Sequence, residues 1–310
     1  MKNRYRDYNS YLKEIFGQRV QKISLDAGLG CPNRDGRISG KGCIYCDSRG
    51  SGTGAKTLRN ISVKEQLTTG IEWAKKRYGA QKYIAYFQSY TNTYASVEIL
   101  KGLYDQSLSF NGMVGLSIGT RPDCIDHGKL DLINSYTNDY LVWIEYGLQS
   151  AHDRTLKAIN RGHDVKAFIN AVNMTAEYGI NICAHVILGL PDETKEMMMQ
   201  TAQFISASPI NGVKIHSLYV TKGTRLARMY LEGGFSCMER DEYIETLIDF
   251  LELLPPEFII QRVTGDPNRN DLIAPAWTLE KTNTLNLIKK RLEERDTWQG
   301  KRYGKFAAER

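Results

Sequence analysis

Six short apolar runs recur along the chain, and each is followed by a polar and apolar pattern of helical period. The runs are "QKISLDAG" (21–28), "KYIAYFQ" (82–88), "MVGLSIGT" (113–120), "YLVWIEYGLQ" (140–149), "NICAHVILG" (181–189) and "GVKIHSLYV" (212–220). The helical stretches lie near 62–78, 96–108, 126–136, 164–178, 192–207 and 240–253. This alternation predicts a parallel sheet with crossover helices. Because the strands are short and evenly spaced, a barrel or partial barrel is expected rather than two separate nucleotide-binding halves.

The C-terminal part departs from this pattern. After Pro255-Pro256, the run "FIIQRVTGD" (258–266) can extend the sheet, and a helix is expected over 276–295, followed by the tail "GKRYGKFAAER". The pattern divides the chain into a basic N-terminal segment (1–20), a barrel (21–255) and a C-terminal extension with a basic helix and tail (256–310). The predicted fold class is therefore α/β, a partial (β/α)6 barrel of the TIM type with a short helical, basic extension.

Charge is unevenly distributed over the 310 residues, whose formal net charge is +6. Residues 1–22 carry six Lys and Arg against two acids, and residues 281–310 carry nine against four. Basic ends fit a polyanion such as nucleic acid, and they equally fit terminal helices that keep a protein soluble. The N-terminus has no apolar signal core and no run is long enough to span a membrane, so we expect a cytoplasmic protein without membrane contact.

Three of the six cysteines lie in the glycine-rich stretch "GLGCPNRDGRISGKGCIYCDSRGSG" (28–52), directly after the first predicted strand. In parallel α/β folds this position opens onto the catalytic face. Structural zinc needs four ligands, whereas Cys31, Cys43 and Cys46 leave one coordination position open, as in a four-iron cluster with one exchangeable iron. Zinc completed by a distant histidine, or reduced surface thiols, remain alternatives. The scattered Cys124, Cys183 and Cys237 are typical of small buried side chains.

These residues carry a family resemblance. The cysteine spacing, with Tyr45 before the last cysteine, resembles the cluster loop of radical S-adenosylmethionine (radical SAM) enzymes, in the variant found in relatives of the elongator catalytic subunit. The stretches "SIGTRPDCI" (117–125), "GLQSAHDRTLKAINRGHD" (147–164) and "AHVILGLPDET" (184–194) resemble the third, fourth and fifth strand motifs of that group. Over essentially the whole chain the sequence is similar to the bacterial YtqA/YhcC family, which implies a radical SAM barrel.

The resemblance implies a cofactor pair and a set of binding residues. Cys31, Cys43 and Cys46 would hold a [4Fe-4S] cluster, whose open iron is chelated by S-adenosylmethionine and whose electron cleaves it to a 5′-deoxyadenosyl radical. A reductase or a flavodoxin- or ferredoxin-type donor would supply that electron. The expected cofactor-binding residues are Tyr45, Gln88, Ser89, Glu145, Gln149, Arg161 and His185.

Physical reasons accompany several of these assignments. Arg161 can pair bidentately with a carboxylate. Glu145 shares a strand face with Gln149 and is costly to bury unless it faces a polar cavity. His216 points to the lumen or to a helix layer. Gly119 stands where elongator-like relatives carry a glutamate, so a cofactor contact is not transferred to that position.

The elongator-like motifs and the basic ends favour tRNA as the substrate. The resemblance implies, more narrowly, the 5-substituent of wobble uridine, with a carboxymethylaminomethyl group converted to aminomethyl. A base reaching the lumen must leave its stack, and candidate platforms are Tyr90, Tyr94, Tyr219, Arg225 and Tyr303. Two alternatives stay open: a radical SAM enzyme acting on a small molecule such as a porphyrin precursor, and a zinc-stabilised tRNA-binding module. The oligomeric state is not encoded in any of these patterns.

Overall fold

The computed structural model describes residues 3–304, which form a parallel α/β half-barrel. Its strands are β1 (Val20–Leu25), β2 (Lys82–Phe87), β3 (Met113–Thr120), β4 (Leu141–Gln149), β5 (Asn181–Leu188), β6 (Gly212–Ser217), β7 (Val220–Thr221), β8 (Ile259–Arg262) and β9 (Leu272–Ala274). The helices are α1 (Tyr8–Phe16), α2 (Ala55–Arg59), α3 (Val63–Tyr78), α4 (Val97–Leu108), α5 (His127–Asn134), α6 (Asp153–Ala158), α7 (Val165–Glu177), α8 (Lys195–Ser206), α9 (Arg225–Leu231), α10 (Arg240–Leu253) and α11 (Lys281–Glu294).

The six predicted strands are confirmed, and all of them pair in parallel. The sheet order is β1-β2-β3-β4-β5-β6-β8, so the run after the Pro255-Pro256 break does extend the sheet. β7 and β9 form a separate antiparallel pair beside it. The six helices expected between the runs and after the last strand are present, with ends within about three residues of the prediction. The expected helix over 276–295 is instead a 3₁₀ turn at Ala276–Leu279 followed by α11.

The two faces of the sheet have different environments. Outward side chains such as Leu25, Phe87, Ile144 and Val186 are fully buried against the surrounding helices. Inward side chains form a separate layer, because neighbouring residues in a strand point to opposite faces. A side-chain N-cap begins each of the crossover helices α3, α4, α5, α7 and α8. In α3 it is a capping box between Ser62 and Glu65.

The N-terminal helix α1, which the apolar pattern did not predict, closes the bottom of the barrel. Tyr8 and Leu12 of α1 pack against Trp143 and Cys183 inside the lumen, and the Tyr8 and Trp143 rings meet edge to face at 6.0 Å. The backbone before α1 bridges to Ile260 at the free edge of β8. The lumen is therefore apolar at its base and opens at the carboxyl ends of the strands. Within residues 3–304, no helix has the length and apolar character that crossing a bilayer requires.

Candidate active site

A cavity of about 610 Å³ lies at the carboxyl ends of the strands, and the cysteine loop forms one of its walls. Nine of the ten predicted site residues line it: Cys31, Cys43, Tyr45, Cys46, Gln88, Glu145, Gln149, Arg161 and His185. The tenth, Ser89, lies behind the loop, where a Cβ atom on Gly52 would come within 1.9 Å of its hydroxyl. Residues far apart in sequence are thus assembled around one chamber.

A single buried carboxylate holds both ends of the cysteine loop. Asp26, at the end of β1, accepts hydrogen bonds from the backbone N–H groups of Gly28 at 2.9 Å, Lys56 at 3.1 Å and Thr57 at 3.0 Å. Charge-assisted bonds of this kind are stronger than neutral ones. The loop is therefore fixed to the barrel before it reaches the cysteines.

Basic and amide side chains direct N–H groups at two of the cysteine sulfurs. Arg161 Nη1 and Asn33 Nδ2 each lie 3.6 Å from Cys43 Sγ, and Arg34 Nη1 lies 3.3 Å from Cys46 Sγ. Hydrogen bonds to thiolate sulfur tune the potential of an iron–sulfur cluster. The sulfurs thus have the surroundings that a charged thiolate cluster requires.

The two buried thiols of the Cys43 and Cys46 pair differ in acidity. Burial alone would raise the pKa of Cys43, but the Arg161 guanidinium outweighs it and lowers that pKa below its ordinary value. Burial and the neighbouring Cys43 raise the pKa of Cys46 to about 11, against the opposing charge of Arg34. A metal centre would overcome this penalty, because coordination deprotonates a thiol.

The donor set fits a cluster better than a single ion. Two thiolates on one zinc ion lie within roughly 4 Å of each other, since each Zn–S bond is about 2.3 Å. In the part of the chain that the structure describes, no three His, Cys, Asp or Glu side chains converge in a way that could hold one metal ion. Cys31, Cys43 and Cys46 share the cavity wall instead. Three thiolates leave one iron of a four-iron cluster open, and the polar cavity beside them offers space for S-adenosylmethionine.

Gly147 gives Arg161 access to the end of β4. The Arg161 Nη2 and Nε atoms donate to the Gly147 carbonyl oxygen at 2.8 and 3.2 Å. A Cβ atom at position 147 would lie 2.5 Å from Arg161 Nη2 and 2.7 Å from Gln149 Nε2. Gln149 itself adopts a left-handed backbone conformation, with φ at 78°. The lack of a side chain at Gly147 therefore leaves space for the Arg161 and Gln149 side chains, which both line the cavity.

The second-strand motif supplies further polar groups. Gln88 Nε2 donates to the Ser51 carbonyl oxygen at 3.1 Å, which ties β2 to the cysteine loop. The buried Thr91 hydroxyl lines the cavity and has no hydrogen-bond partner within residues 3–304. Buried polar groups are normally paired, so a bound ligand would complete this site. At Gly119, which also lines the cavity, a Cβ atom would lie 3.1 Å from the Phe87 carbonyl oxygen, a tight contact.

A charged layer crosses the middle of the lumen below the cysteines. Glu145, fully buried, accepts hydrogen bonds from Lys22 Nζ at 2.6 Å and from His185 Nε2 at 2.8 Å, and it also pairs with Lys214. Lys214 Nζ contacts the Tyr86 hydroxyl at 3.0 Å. Sequence reasoning missed both lysines. A signal was available, because Lys214 interrupts an apolar strand two residues before His216, on the same face.

Opposite charges set the protonation of this layer. Burial would raise the pKa of Glu145, but Lys214 and Lys22 hold it well below its ordinary value. Burial lowers the pKa of Lys22 to about 8, against the attraction of Glu145. Burial and then Lys214 lower the pKa of His185 to about 4, and burial also lowers that of His216. At neutral pH the Glu145 carboxylate and the Lys22 ammonium are charged, and the two histidines are neutral.

Two of the five candidate platforms for a base reach the cavity. Tyr90 and Tyr219 line it, and the Arg34 guanidinium lies 5.6 Å from the Tyr90 ring centre. The other three are not among the lining residues. Tyr94 donates to Asp35 at 2.9 Å, Arg225 donates to the Gly42 carbonyl oxygen at 2.6 Å, and Tyr303 is exposed near the end of the described chain.

Two segments that border the cavity, residues 28–60 and 217–231, carry basic side chains of which most lack a carboxylate partner in the described chain. Residues 28–60 carry six Lys and Arg against two acids, and residues 217–231 carry three against none. Within residues 3–304, only Arg49 of these nine forms an ion pair with a carboxylate. By contrast, Arg291 and Arg295 of the C-terminal region pair with acids of α10, including Glu245 at 3.0 and 2.9 Å. Positive charge without a carboxylate partner therefore lies in the segments that border the cavity, where it can attract a polyanion.

Comparisons with known proteins agree with the fold and the cysteine loop. The Radical SAM superfamily model matches residues 28–205, and the Radical_SAM C-terminal domain model matches residues 210–294. The chain is 38% identical over 308 residues to the uncharacterized protein YtqA of Bacillus subtilis, covering 99% of this chain and 95% of that protein. It is 41% identical over 302 residues to the uncharacterized protein MJ0486 of Methanocaldococcus jannaschii, covering 96% and 92%.

Among solved structures, the chain is similar to an archaeal Methanocaldococcus infernus Elp3 that lacks its N-terminus. The TM-score is 0.70 at 19% identity, and the match covers 90% of this chain and 64% of that one. This similarity confirms the predicted partial barrel. With the family models and the relatives that match along nearly their whole length, it shows that the chain belongs to the radical SAM superfamily.

Proposed function

We propose that the protein modifies tRNA at the 5-substituent of wobble uridine and converts a carboxymethylaminomethyl group to aminomethyl. Loss of a hydrogen atom from the methylene next to the carboxylate, and of one electron to the one-electron carrier, would give an imine that water cleaves to aminomethyl uridine and glyoxylate. A [4Fe-4S] cluster on Cys31, Cys43 and Cys46 with S-adenosylmethionine supplies, when bound, a carbon radical that abstracts hydrogen from the substrate. A flavodoxin- or ferredoxin-type protein would deliver the electron. The narrower choice of substrate rests on the resemblance to elongator-type enzymes and to the YtqA/YhcC family.

The residues around the cavity have distinct tasks in this proposal. Gln149 at the end of β4 and Arg161, whose side chain reaches that strand end from beyond α6, would face the cofactor, and Gln88 holds the loop wall against β2. The apolar base below the charged layer keeps water from entering the lumen from the opposite end. Exclusion of water protects a reactive radical from side reactions.

The observation that carries the choice of tRNA is the basic rim around an aromatic-lined cavity. Eight Lys and Arg of residues 28–60 and 217–231 have no carboxylate within ion-pairing distance in the described chain. Tyr90 and Tyr219 inside the mouth can stack on a base that has left its own stack. A phosphate backbone on the rim with one base in the lumen satisfies both features.

Nucleoside analysis of tRNA tests the proposal. Cells lacking the gene should accumulate carboxymethylaminomethyl uridine at the wobble position, and the intact gene should restore its conversion. A Cys43→Ala gene should fail to restore it, whereas the matched control Cys237→Ala, whose thiol lies outside the cavity lining, should succeed. An unchanged set of wobble nucleosides in the deletion strain would rule the tRNA function out.

Binding measurements test the role of the rim. Replacement of Lys222 and Arg228 by glutamine should weaken tRNA binding and reduce the slope of log affinity against log salt by about 1 to 2, since each phosphate contact contributes a slope of about 0.9. The control Lys289→Gln removes a charge from the exposed face of α11. If it weakens binding as much as the rim variant does, the rim is not the docking surface.

A further inference from the structure

The charged layer in the lumen holds more basic than acidic groups. Lys22, Lys214 and Arg262 come from β1, β6 and β8, and Lys214 and Arg262 stand at paired positions of neighbouring strands. Glu145 is the carboxylate that Lys22 and Lys214 share, at 2.6 Å from Lys22 Nζ. One buried acid therefore serves two buried lysines.

Arg262 adds a third positive charge that is weakly compensated. Its carboxylate partner, Asp266, lies 3.6 Å away with about half of its side chain exposed, and Asp266 also pairs with Lys281 at 3.1 Å. The two neighbouring histidines do not add charge, because burial lowers the pKa of both. The wall formed by β6 and β8 thus carries a surplus of positive charge.

An unused donor accompanies this surplus. The Gln261 amide oxygen accepts a hydrogen bond from Lys22 Nζ at 2.8 Å, while the buried Nε2 of the same amide has no acceptor among the described residues. Lys214 and Arg262 both line the cavity, and Tyr86, His185 and His216 line it beside them. A buried donor without an acceptor is costly, so this amide can take one further acceptor, and surplus cations on the neighbouring wall favour an anion there.

We propose that the β6–β8 wall is a carboxylate-binding site in which Lys214 and Arg262 hold the carboxylate of the uridine substituent. This assignment rests on the proposed function and names the part of the substrate that the lumen recognises. An arginine fork beside a lysine matches the planar geometry of a carboxylate. Such a site favours substrates that carry the carboxylate over otherwise identical substrates that lack it. Without the carboxylate, the positive charges of the site stay uncompensated.

Two anticodon stem-loop RNAs that differ only in the wobble substituent test this inference. One carries carboxymethylaminomethyl uridine, and the other carries methylaminomethyl uridine, which lacks the carboxylate. Dissociation constants are measured without oxygen on the cluster-loaded protein with S-adenosylmethionine present. The unmodified protein should bind the first RNA at least about tenfold more tightly, which corresponds to one charge-assisted contact.

The variants separate the lumen site from the rest of the protein. Arg262→Gln and Lys214→Met should each bring the affinity ratio of the two RNAs close to 1, while Arg262→Lys should retain part of it. The control Lys64→Met, on the exposed face of α3, should leave the ratio unchanged. The dissociation constant of S-adenosylmethionine alone, measured in parallel, should be the same in all of these proteins.

Four results would overturn the inference. The first is an affinity ratio that persists in Arg262→Gln and Lys214→Met. The second is weaker S-adenosylmethionine binding in these variants, which would mean that the wall holds the cofactor's own carboxylate. If the unmodified protein converts the carboxymethylaminomethyl RNA but binds both RNAs equally, the carboxylate site alone is wrong. If it neither converts nor prefers that RNA, the proposed function fails as well.

Discussion

Replacement of Glu145 by glutamine tests the charged layer most sharply. The carboxylate is fully buried and balances Lys22 at 2.6 Å and the adjacent Lys214, so the amide leaves two buried ammonium groups without a counter-charge. Breaking a buried pair from one side costs about 3–5 kcal/mol. For a chain of this size, about 1 kcal/mol corresponds to roughly 2 °C in Tm. We therefore expect Glu145→Gln to lower Tm by roughly 6–10 °C at pH 7.

The loss should depend on pH in a defined direction. The native protein keeps a proton on Lys22 up to its pKa of about 8, and without Glu145 that proton is released at a lower pH. Between the pKa of Lys22 in the folded variant and its pKa in the folded parent, the folded variant binds fewer protons than the folded parent. The deficit of the variant in unfolding free energy therefore shrinks as pH rises. The difference in Tm between the two proteins should be smaller at pH 9 than at pH 7.

Differential scanning calorimetry of both proteins at pH 7 and pH 9 measures this effect. Glu72→Gln is the matched control, because Glu72 is exposed on α3 and the same substitution there should change stability by less than about 0.5 kcal/mol. The reasoning is refuted if Glu145→Gln has the same Tm as its parent, or if the difference in Tm between the two proteins grows from pH 7 to pH 9.

Three further substitutions probe the walls of the site. Arg161→Met removes the donor to Cys43 Sγ and should lower the midpoint potential of the cluster in an anaerobic redox titration; an unchanged potential would exclude an effect of that contact. Gly147→Ala places a methyl group 2.5 Å from Arg161 Nη2 and should cost about 1–3 kcal/mol in a urea titration, where a neutral result would contradict the close contact. Asp26→Ala releases both ends of the cysteine loop, and iron content after anaerobic gel filtration should fall relative to the parent.

Much of the barrel could be predicted from sequence because periodicity reports burial directly. Runs such as 113–120 and 140–149 are apolar on both faces, as strands covered by helices on one side and a packed lumen on the other must be. Helix α1 escaped prediction because its apolar face is short, with Tyr8 and Leu12 as its buried residues, and its role depends on the lumen that it closes. The β7–β9 pair escaped for a similar reason, since two or three residues carry no period.

The site was only partly predictable. The cysteine spacing and the strand motifs identified the residues that carry the resemblance, and the structure brings nine of the ten to one cavity. The two lysines that pair with Glu145 were not identified, because a lysine within a strand predicts a surface position until the opposing strand is known. Likewise, charge counting placed the basic surface at the chain ends, whereas salt bridges such as Arg295 to Asp249 at 2.6 Å neutralise much of it.

Deuterium transfer tests the central claim most directly. The reduced, cluster-loaded protein is incubated without oxygen with S-adenosylmethionine and a tRNA whose wobble carboxymethylaminomethyl group is deuterated at the methylene next to the carboxylate. If this methylene is the site of hydrogen abstraction, mass spectrometry should find deuterium in the 5′-deoxyadenosine produced, together with aminomethyl uridine in the tRNA. Cleavage of S-adenosylmethionine that yields only unlabelled 5′-deoxyadenosine and leaves the uridine unchanged would contradict the account.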